Sequence, residues 1–225
     1  MSSIYRNPLA LEPLHIEICG AIAAGKTILA NLLKHAGLKD VLEDFRANCF
    51  FEQFYSDPAK YAFETEITFL LQHYHQIKVN AGEKTPFICD FSPILDLAYA
   101  DVTLSSSERE TFFAVYKEVK HQLSPPALLI HLQCSASVLL DRIRARGRAA
   151  EKSISIEYLK LIDNALTCRL QEVDKEVKIL TISSEKRNFA TDELEKRNTI
   201  SLIQERFREE YAKPLISALL FSDSR

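Results

Sequence analysis

The run Gly20-Ala21-Ile22-Ala23-Ala24-Gly25-Lys26-Thr27 has the spacing G-x-x-x-x-G-K-T, which can wrap an anion. Its flanks supply the context that chemistry needs. His15-Ile16-Glu17-Ile18-Cys19 before it reads as a short buried strand, and Ile28-Leu29-Ala30-Asn31-Leu32-Leu33-Lys34 after it as an amphipathic helix. Backbone N–H groups from Ala23 to Thr27 can then point at a phosphate, and the helix N-terminus adds positive potential. Lys26 has the reach for the outer phosphates, and the Thr27 hydroxyl is a ligand for Mg²⁺. A chance glycine-rich turn would not need both flanks. The chain is expected to bind a nucleoside triphosphate, and other residues must show what receives the phosphate.

A second cluster is basic. Arg142, Arg144, Arg146 and Arg148 close an expected helix, Ser135–Arg146. At i and i+4, Arg142 and Arg146 share one helix face, and Arg148 follows Gly147, where the chain can turn back. Guanidinium forks suit the charge that phosphoryl transfer places on equatorial oxygens. A solvated basic helix end, favoured by the helix dipole, is the plainer alternative. Downstream of a phosphate loop the cluster is read as a mobile lid. A third cluster is acidic. Asp90 ends the strand Phe87–Cys89, and Glu43 follows Val41-Leu42 in the same way. In an open parallel sheet, ligands bind beyond the carboxyl ends of the strands. Asp90 is thus placed to hold Mg²⁺ directly or through water, and Glu43 to accept a proton from an attacking hydroxyl. Either acid alone could merely cap a following helix. With the loop they form an active-site rim.

The elements that must position these groups alternate. Strand-like runs at His15–Cys19, Val41–Leu42, Phe87–Cys89, Leu128–Leu132 and Val177–Ile182 lie between helical stretches. The fold class is therefore α/β, with a five-stranded parallel sheet flanked by helices. Helices are expected over Ala59–Asn80, Ser105–Leu123, Ser135–Arg146, Ile156–Lys175 and Thr199–Leu219, the last interrupted near Pro214, with a polar surface loop over Ser183–Lys196. The 225 residues fit a single domain, with the lid at about 142–153 and a C-terminal helical segment at about 199–219. The net charge of −3 argues against nucleic acid as the main partner. Five cysteines, an odd number without C-x-x-C pairs, argue against disulfides and zinc and fit a cytoplasmic protein. Met1–Leu14 does not read as a secretion signal or transit peptide, and no apolar run approaches membrane-spanning length.

From about Ile16 to Asn188 the chain resembles the deoxynucleoside kinases, especially their bacterial branch. The loop through Ile22-Ala23-Ala24-Gly25-Lys26, the segment Leu42-Glu43-Asp44-Phe45 with Asn48, and the run Phe54-Tyr55-Ser56-Asp57-Pro58 are similar to family segments. So is Arg142-Ile143-x-x-Arg146-Gly147-Arg148-x-x-Glu151. The resemblance implies a P-loop kinase fold with an Arg-rich lid, ATP as donor and Mg²⁺. It implies Glu43 as catalytic base, Tyr55 and Glu151 on the sugar 3′-hydroxyl, lid arginines on phosphate, and Asn188-Phe189 near the donor adenine. It also implies a homodimer. The base pocket departs from the family pattern. Glutamines of the long helix are replaced by Glu66 and Glu64, a supporting arginine by His73, and the acid-Arg-Ser motif by Asp90-Phe91-Ser92; the following acid is kept as Asp96. Ionised glutamates would favour bases that present N–H donors, so deoxyguanosine or deoxyinosine is expected to match deoxyadenosine as substrate.

The expected function is ATP-dependent phosphorylation of a deoxynucleoside 5′-hydroxyl. A nucleoside monophosphate kinase is the enzymatic alternative, although basic residues for an acceptor phosphate are not evident between Glu43 and Tyr61. A nucleotide-binding regulatory protein that has lost normal base recognition is the other. The absence of an N-K-x-D motif argues against a GTPase. Phe63 and Tyr74 read as core, Phe45 and Phe69 as either stacking groups or structure, and His73 and His75 as satisfied polar residues rather than metal ligands.

Overall fold

Five short strands pair in parallel in the order β2-β3-β1-β4-β5. They are β1 (His15–Cys19), β2 (Lys39–Val41), β3 (Phe87–Cys89), β4 (Leu128–Gln133) and β5 (Ile179–Ser183). The computed structural model describes residues 14–83, 85–173 and 177–222, with backbone alone for 210–222. Each of the five expected runs overlaps a strand. β2 lies upstream of Leu42 because Lys39–Val41 is the stretch that pairs with Phe87–Cys89, and its polar first residues hide it from a hydrophobicity search. β1 is central and buried throughout. Its two polar residues are satisfied there. His15 Nε2 lies 3.1 Å from Glu17 Oε1, and the Ser92 hydroxyl donates to Glu17 Oε2 at 2.6 Å.

Helices cover the sheet: α1 (Lys26–His35), α2 (Phe51–Ser56), α3 (Pro58–Ala81), α4 (Pro93–Thr103), α5 (Ser106–His121), α6 (Ala136–Arg146), α7 (Ile156–Gln171) and α8 (Glu193–Ser222). The main core packs α1 and α7 on β1, β3 and β4 through Ile16, Ile18, Leu29, Leu33, Ile130 and Leu159. A second cluster, with Phe54, Leu70 and Phe112, joins α2, α3 and α5. Phe63 and Tyr74 pack against that cluster, as their helical spacing predicts.

α5 begins with a capping box between Ser105 and Glu108, as its serine run foretells. α4 is not foreseen because it is wrapped on nearly all sides. Leu95, Asp96, Leu97, Ala98 and Ala100 are all buried, leaving no amphipathic stripe. Its signal was the start, Ser92 accepting from the Ile94 N–H with Pro93 in the first turn. α2, at six residues, is too short for a periodicity search. α8 starts inside the expected surface loop, since Asp192 Oδ1 caps the N–H groups of Leu194 and Glu195 at 2.8 and 3.0 Å. The expected interruption at Pro214 is corrected: α8 continues through it. A proline removes one rung of the ladder and can kink a helix without ending it.

The reading of Met1–Leu14 falls almost wholly outside the described residues, and the helix expected to run to Lys175 ends at Gln171, with Glu172 as its C-cap. Among the described residues, no helix is long and apolar enough to cross a membrane. All five cysteines are free, with Cys19, Cys89 and Cys134 buried.

Candidate active site

The phosphate loop has the backbone its sequence calls for. Gly20 lies at φ 149° and Gly25 at φ 101°, and Ala23 is the one non-glycine residue with positive φ among those described, at 64°. A Cβ on Gly20 would sit 2.7 Å from the Leu132 carbonyl oxygen of β4, so only glycine lets the loop lie against the sheet. The Ala23 backbone is held at some cost, of the kind found at ligand-clamping loops. Lys26 Nζ folds back to donate to the Gly20 carbonyl at 2.9 Å.

Beyond the carboxyl ends of the strands opens a cavity of about 710 Å³. It brings together Ile22 to Thr27, Glu43, Tyr55, Glu66, His73, Asp90, Asp96, Arg142, Arg146, Arg148, Glu151, Asn188 and Phe189. Gly20 and Ala21, also expected to bind nucleotide, do not line the cavity; their carbonyls accept from Lys26 Nζ at 2.9 and 3.5 Å. Phe45 and Phe69 also line the cavity.

Glu64, expected in the base pocket, lies outside the cavity, and Lys60 feels its charge. Two residues along a helix are about 200° apart, so Glu64 and Glu66 cannot both face one pocket.

Asp90 is the hinge of the acidic rim. Its Oδ2 accepts from the Thr27 hydroxyl at 2.5 Å, and its Oδ1 from the Glu43 N–H at 2.6 Å. One carboxylate thus fixes the loop threonine and the backbone of the candidate base. Burial pushes the Glu43 carboxyl above its usual range, against the pull of His73 and Lys26, with Asp90 and Asp96 adding to the rise. Burial lowers the Lys26 ammonium, which Glu43 and Asp90 oppose. Thr27 and Asp90 offer adjacent hard oxygens. That donor set fits Mg²⁺, which needs only one or two protein oxygens beside substrate phosphates.

The arginines are already engaged. Arg142 Nη2 donates to the Ser184 carbonyl at 2.8 Å, and Nη1 to the Ser184 hydroxyl at 3.2 Å and the Ala23 carbonyl at 3.4 Å. It ties the phosphate loop to the segment after β5. Arg146 and Arg148 converge on the buried Glu151 carboxylate at 2.6 and 3.2 Å. The Arg148 guanidinium also lies 4.2 Å over the Phe45 ring. Burial, then the charges of Glu151 and Glu66, raises the Tyr55 hydroxyl. Arg144 does not line the cavity.

At the far end, His73 Nδ1 lies 2.9 and 3.0 Å from the two Asp96 oxygens. Its ring stacks on Phe91, with centroids 4.2 Å apart and planes at 7°. Burial opposes its charge, but the Asp96 carboxylate outweighs this and the net shift is upward. Glu66 accepts from the Thr103 hydroxyl at 3.3 Å, and burial pushes its carboxyl up to about 8. Near neutral pH Glu66 is therefore a neutral acid with a donor and an acceptor, not the ionised group expected from sequence. Tyr99 on α4 and Ser184 just after β5 are site residues the sequence does not reveal, because the packing that brings them to the cavity is set by residues distant in the chain.

The deoxynucleoside kinase family model matches residues 16–208. Deoxyguanosine kinase of Bacillus subtilis (strain 168) is 31% identical over 182 residues, covering 77% of this chain and 88% of the relative. Deoxyadenosine kinase of Dictyostelium discoideum is 31% identical over 180 residues, covering 77% and 74%. A solved deoxyadenosine kinase from M. mycoides with bound dCTP shares the fold, with TM-score 0.72 at 22% identity, over 87% of this chain and 100% of that one. The kinase reading thus prevails over a monophosphate kinase or a regulatory binding protein. A phosphate loop coupled through one carboxylate to a candidate base, in a chain matched along most of its length, places this protein in the deoxynucleoside kinase family, as an enzyme that phosphorylates deoxynucleosides.

Proposed function

We propose that the chain transfers the γ-phosphoryl group of ATP to the 5′-hydroxyl of a deoxynucleoside, releasing the 5′-monophosphate and ADP. The observation that carries this reading is Asp90 joined to both Thr27 and the Glu43 backbone, which couples the donor loop to the acceptor base across the sheet ends. Tyr55 and Glu151 hold the sugar. Glu43 takes the 5′-hydroxyl proton as that oxygen attacks phosphorus, and a carboxyl raised by burial is better matched to this than an exposed one. Lys26 leaves the Gly20 carbonyl for the outer phosphates. Arg146 and Arg148 exchange part of their pairing with Glu151 for the transferring group, which frees Glu151 for the sugar. Arg142 keeps the loop in shape. Thr27 and Asp90 would hold Mg²⁺, whose charge neutralises phosphate oxygens. Asn188 and Phe189 border the donor base.

A monophosphate acceptor fits poorly, because the acids Glu43 and Asp96 line the acceptor end and would repel its phosphate. The free cysteines support a cytoplasmic setting, and phosphorylation of deoxynucleosides would serve nucleotide salvage there. Exposed Leu71 and Val79 on α3 support a homodimer packed through that helix. Incubating the protein with ATP, Mg²⁺ and each common deoxynucleoside tests the reading. A 5′-monophosphate and ADP in equal amounts are expected. Turnover of nucleoside monophosphates alone would transfer the reading to the alternative.

A further inference from the structure

The deep end of the cavity holds one polar atom without a partner. His73 is 5% exposed and lines the cavity; its Nδ1 is held by both oxygens of Asp96, and its Nε2 is buried with no hydrogen-bond partner. A buried ring nitrogen left unpaired is costly unless a ligand completes it. The surroundings decide whether Nε2 gives or takes a proton. Asp96 of α4 holds the Nδ1 proton. Glu43 after β2 and Asp90 after β3 add negative charge, and Glu66 lies two turns earlier on α3. Phe91 and Phe69 stack on the ring and contribute no charge. Such a setting favours the imidazolium, consistent with the upward shift of His73. An imidazolium has N–H at both nitrogens, so Nε2 is a donor.

We propose that the Nε2–H of His73, oriented by Asp96, reads the base, and selects deoxynucleosides that carry a carbonyl oxygen where adenine carries an amino group. Glu66 lines the same cavity and does not choose between the two bases. A neutral carboxyl can donate to the bare N1 of adenine or accept from the N1–H of a 6-oxopurine. Discrimination therefore falls on His73. Its donor meets an acceptor in the oxo base, whereas in the amino base two donors face each other. Phe91, beside the ring, supplies no alternative acceptor or donor.

The inference rests on the kinase reading above, and its test separates the two. At pH 6.5, kcat/KM is measured for deoxyinosine and deoxyadenosine, which differ at the 6-oxo or 6-amino group and the adjoining nitrogen. The wild-type ratio should favour deoxyinosine by about 10- to 100-fold, the scale of one charged hydrogen bond. His73→Arg keeps a cationic donor and should keep the preference. His73→Gln can pair its amide N–H₂ with Asp96, presents no cation, and should lower the ratio at least about tenfold. A merely structural role would depress both substrates alike and leave the ratio in place, which overturns the proposal. So would a wild-type preference for deoxyadenosine. Nitrogen-15 NMR of the wild-type protein gives a second arm that needs no variant to fold. With deoxyinosine bound, both His73 ring nitrogens should carry protons, and an unprotonated Nε2 refutes the assignment. Turnover of no deoxynucleoside would strike the kinase reading instead.

Discussion

Replacing Glu66 with glutamine should stabilise the protein, by an amount that grows with pH. Glu66 is 4% exposed, and burial raises its carboxyl from 4.5 to about 8. Between those two values the folded protein holds a proton that the unfolded chain has released. Folding then takes up a proton, and stability falls as pH rises. The slope is about 1.4 kcal/mol per pH unit. From 4.5 to pH 7 the loss is on the order of 3 kcal/mol, and above the folded value, where both states are ionised, it stops growing. Glutamine has nearly the same shape, keeps an acceptor for the Thr103 hydroxyl, and carries no proton to exchange. The variant should therefore match the wild type near pH 4.5 and exceed it by about 3 kcal/mol at pH 7, or roughly 6–12 °C in Tm for a chain of this size. Urea unfolding of both proteins at pH 5, 6, 7 and 8 isolates the effect, because groups that titrate alike in both cancel in the difference. A difference that stays flat over this range would mean that Glu66 is ionised in the fold, and the argument from burial would fail.

Lys26→Ala should remove at least about 10²-fold in kcat, the scale of a lost electrostatic clamp, while circular dichroism and Tm stay near wild type; substantial residual turnover would take Lys26 out of the chemistry. Glu43→Gln should lower kcat by roughly 10²–10⁴-fold with little change in KM for the nucleoside, and a change confined to KM would make Glu43 a positioning group. Across Arg142–Lys152, hydrogen exchange should slow when an ATP analogue binds, as Arg146 and Arg148 gain phosphate partners in place of Glu151. Equal protection with and without the analogue would favour a static basic helix end.

The phosphate loop, the lid arginines and the strand-end acids were legible in the chain because each is a local pattern. A G-x-x-x-x-G-K-T run between strand and helix has one good conformation, and contiguous residues specify it. Residues whose roles depend on helical phase were not legible. Glu64 and Glu66 are alike in sequence terms, and the packing of α3 on α2 and α4 turns one inward and the other out. α4 itself was missed because burial on nearly every side erases the periodicity that marks a helix.

Charge states belonged to the tertiary structure as well. A carboxyl in a sequence reads as ionised, yet burial keeps Glu66 neutral near pH 7. In sequence the four arginines read as a mobile lid or a solvated helix end, whereas in the fold Ser184, Ala23 and Glu151 already engage three of them. The His73–Asp96 pair and its Phe91 platform join α3, the turn after β3 and α4. Sequence determined which groups are present and which short runs can hold phosphate, because that chemistry is carried by adjacent atoms. The partner and protonation state of each group depended on the approach of elements distant in the chain, because desolvation and hydrogen bonding act over a few ångströms of space rather than along the sequence.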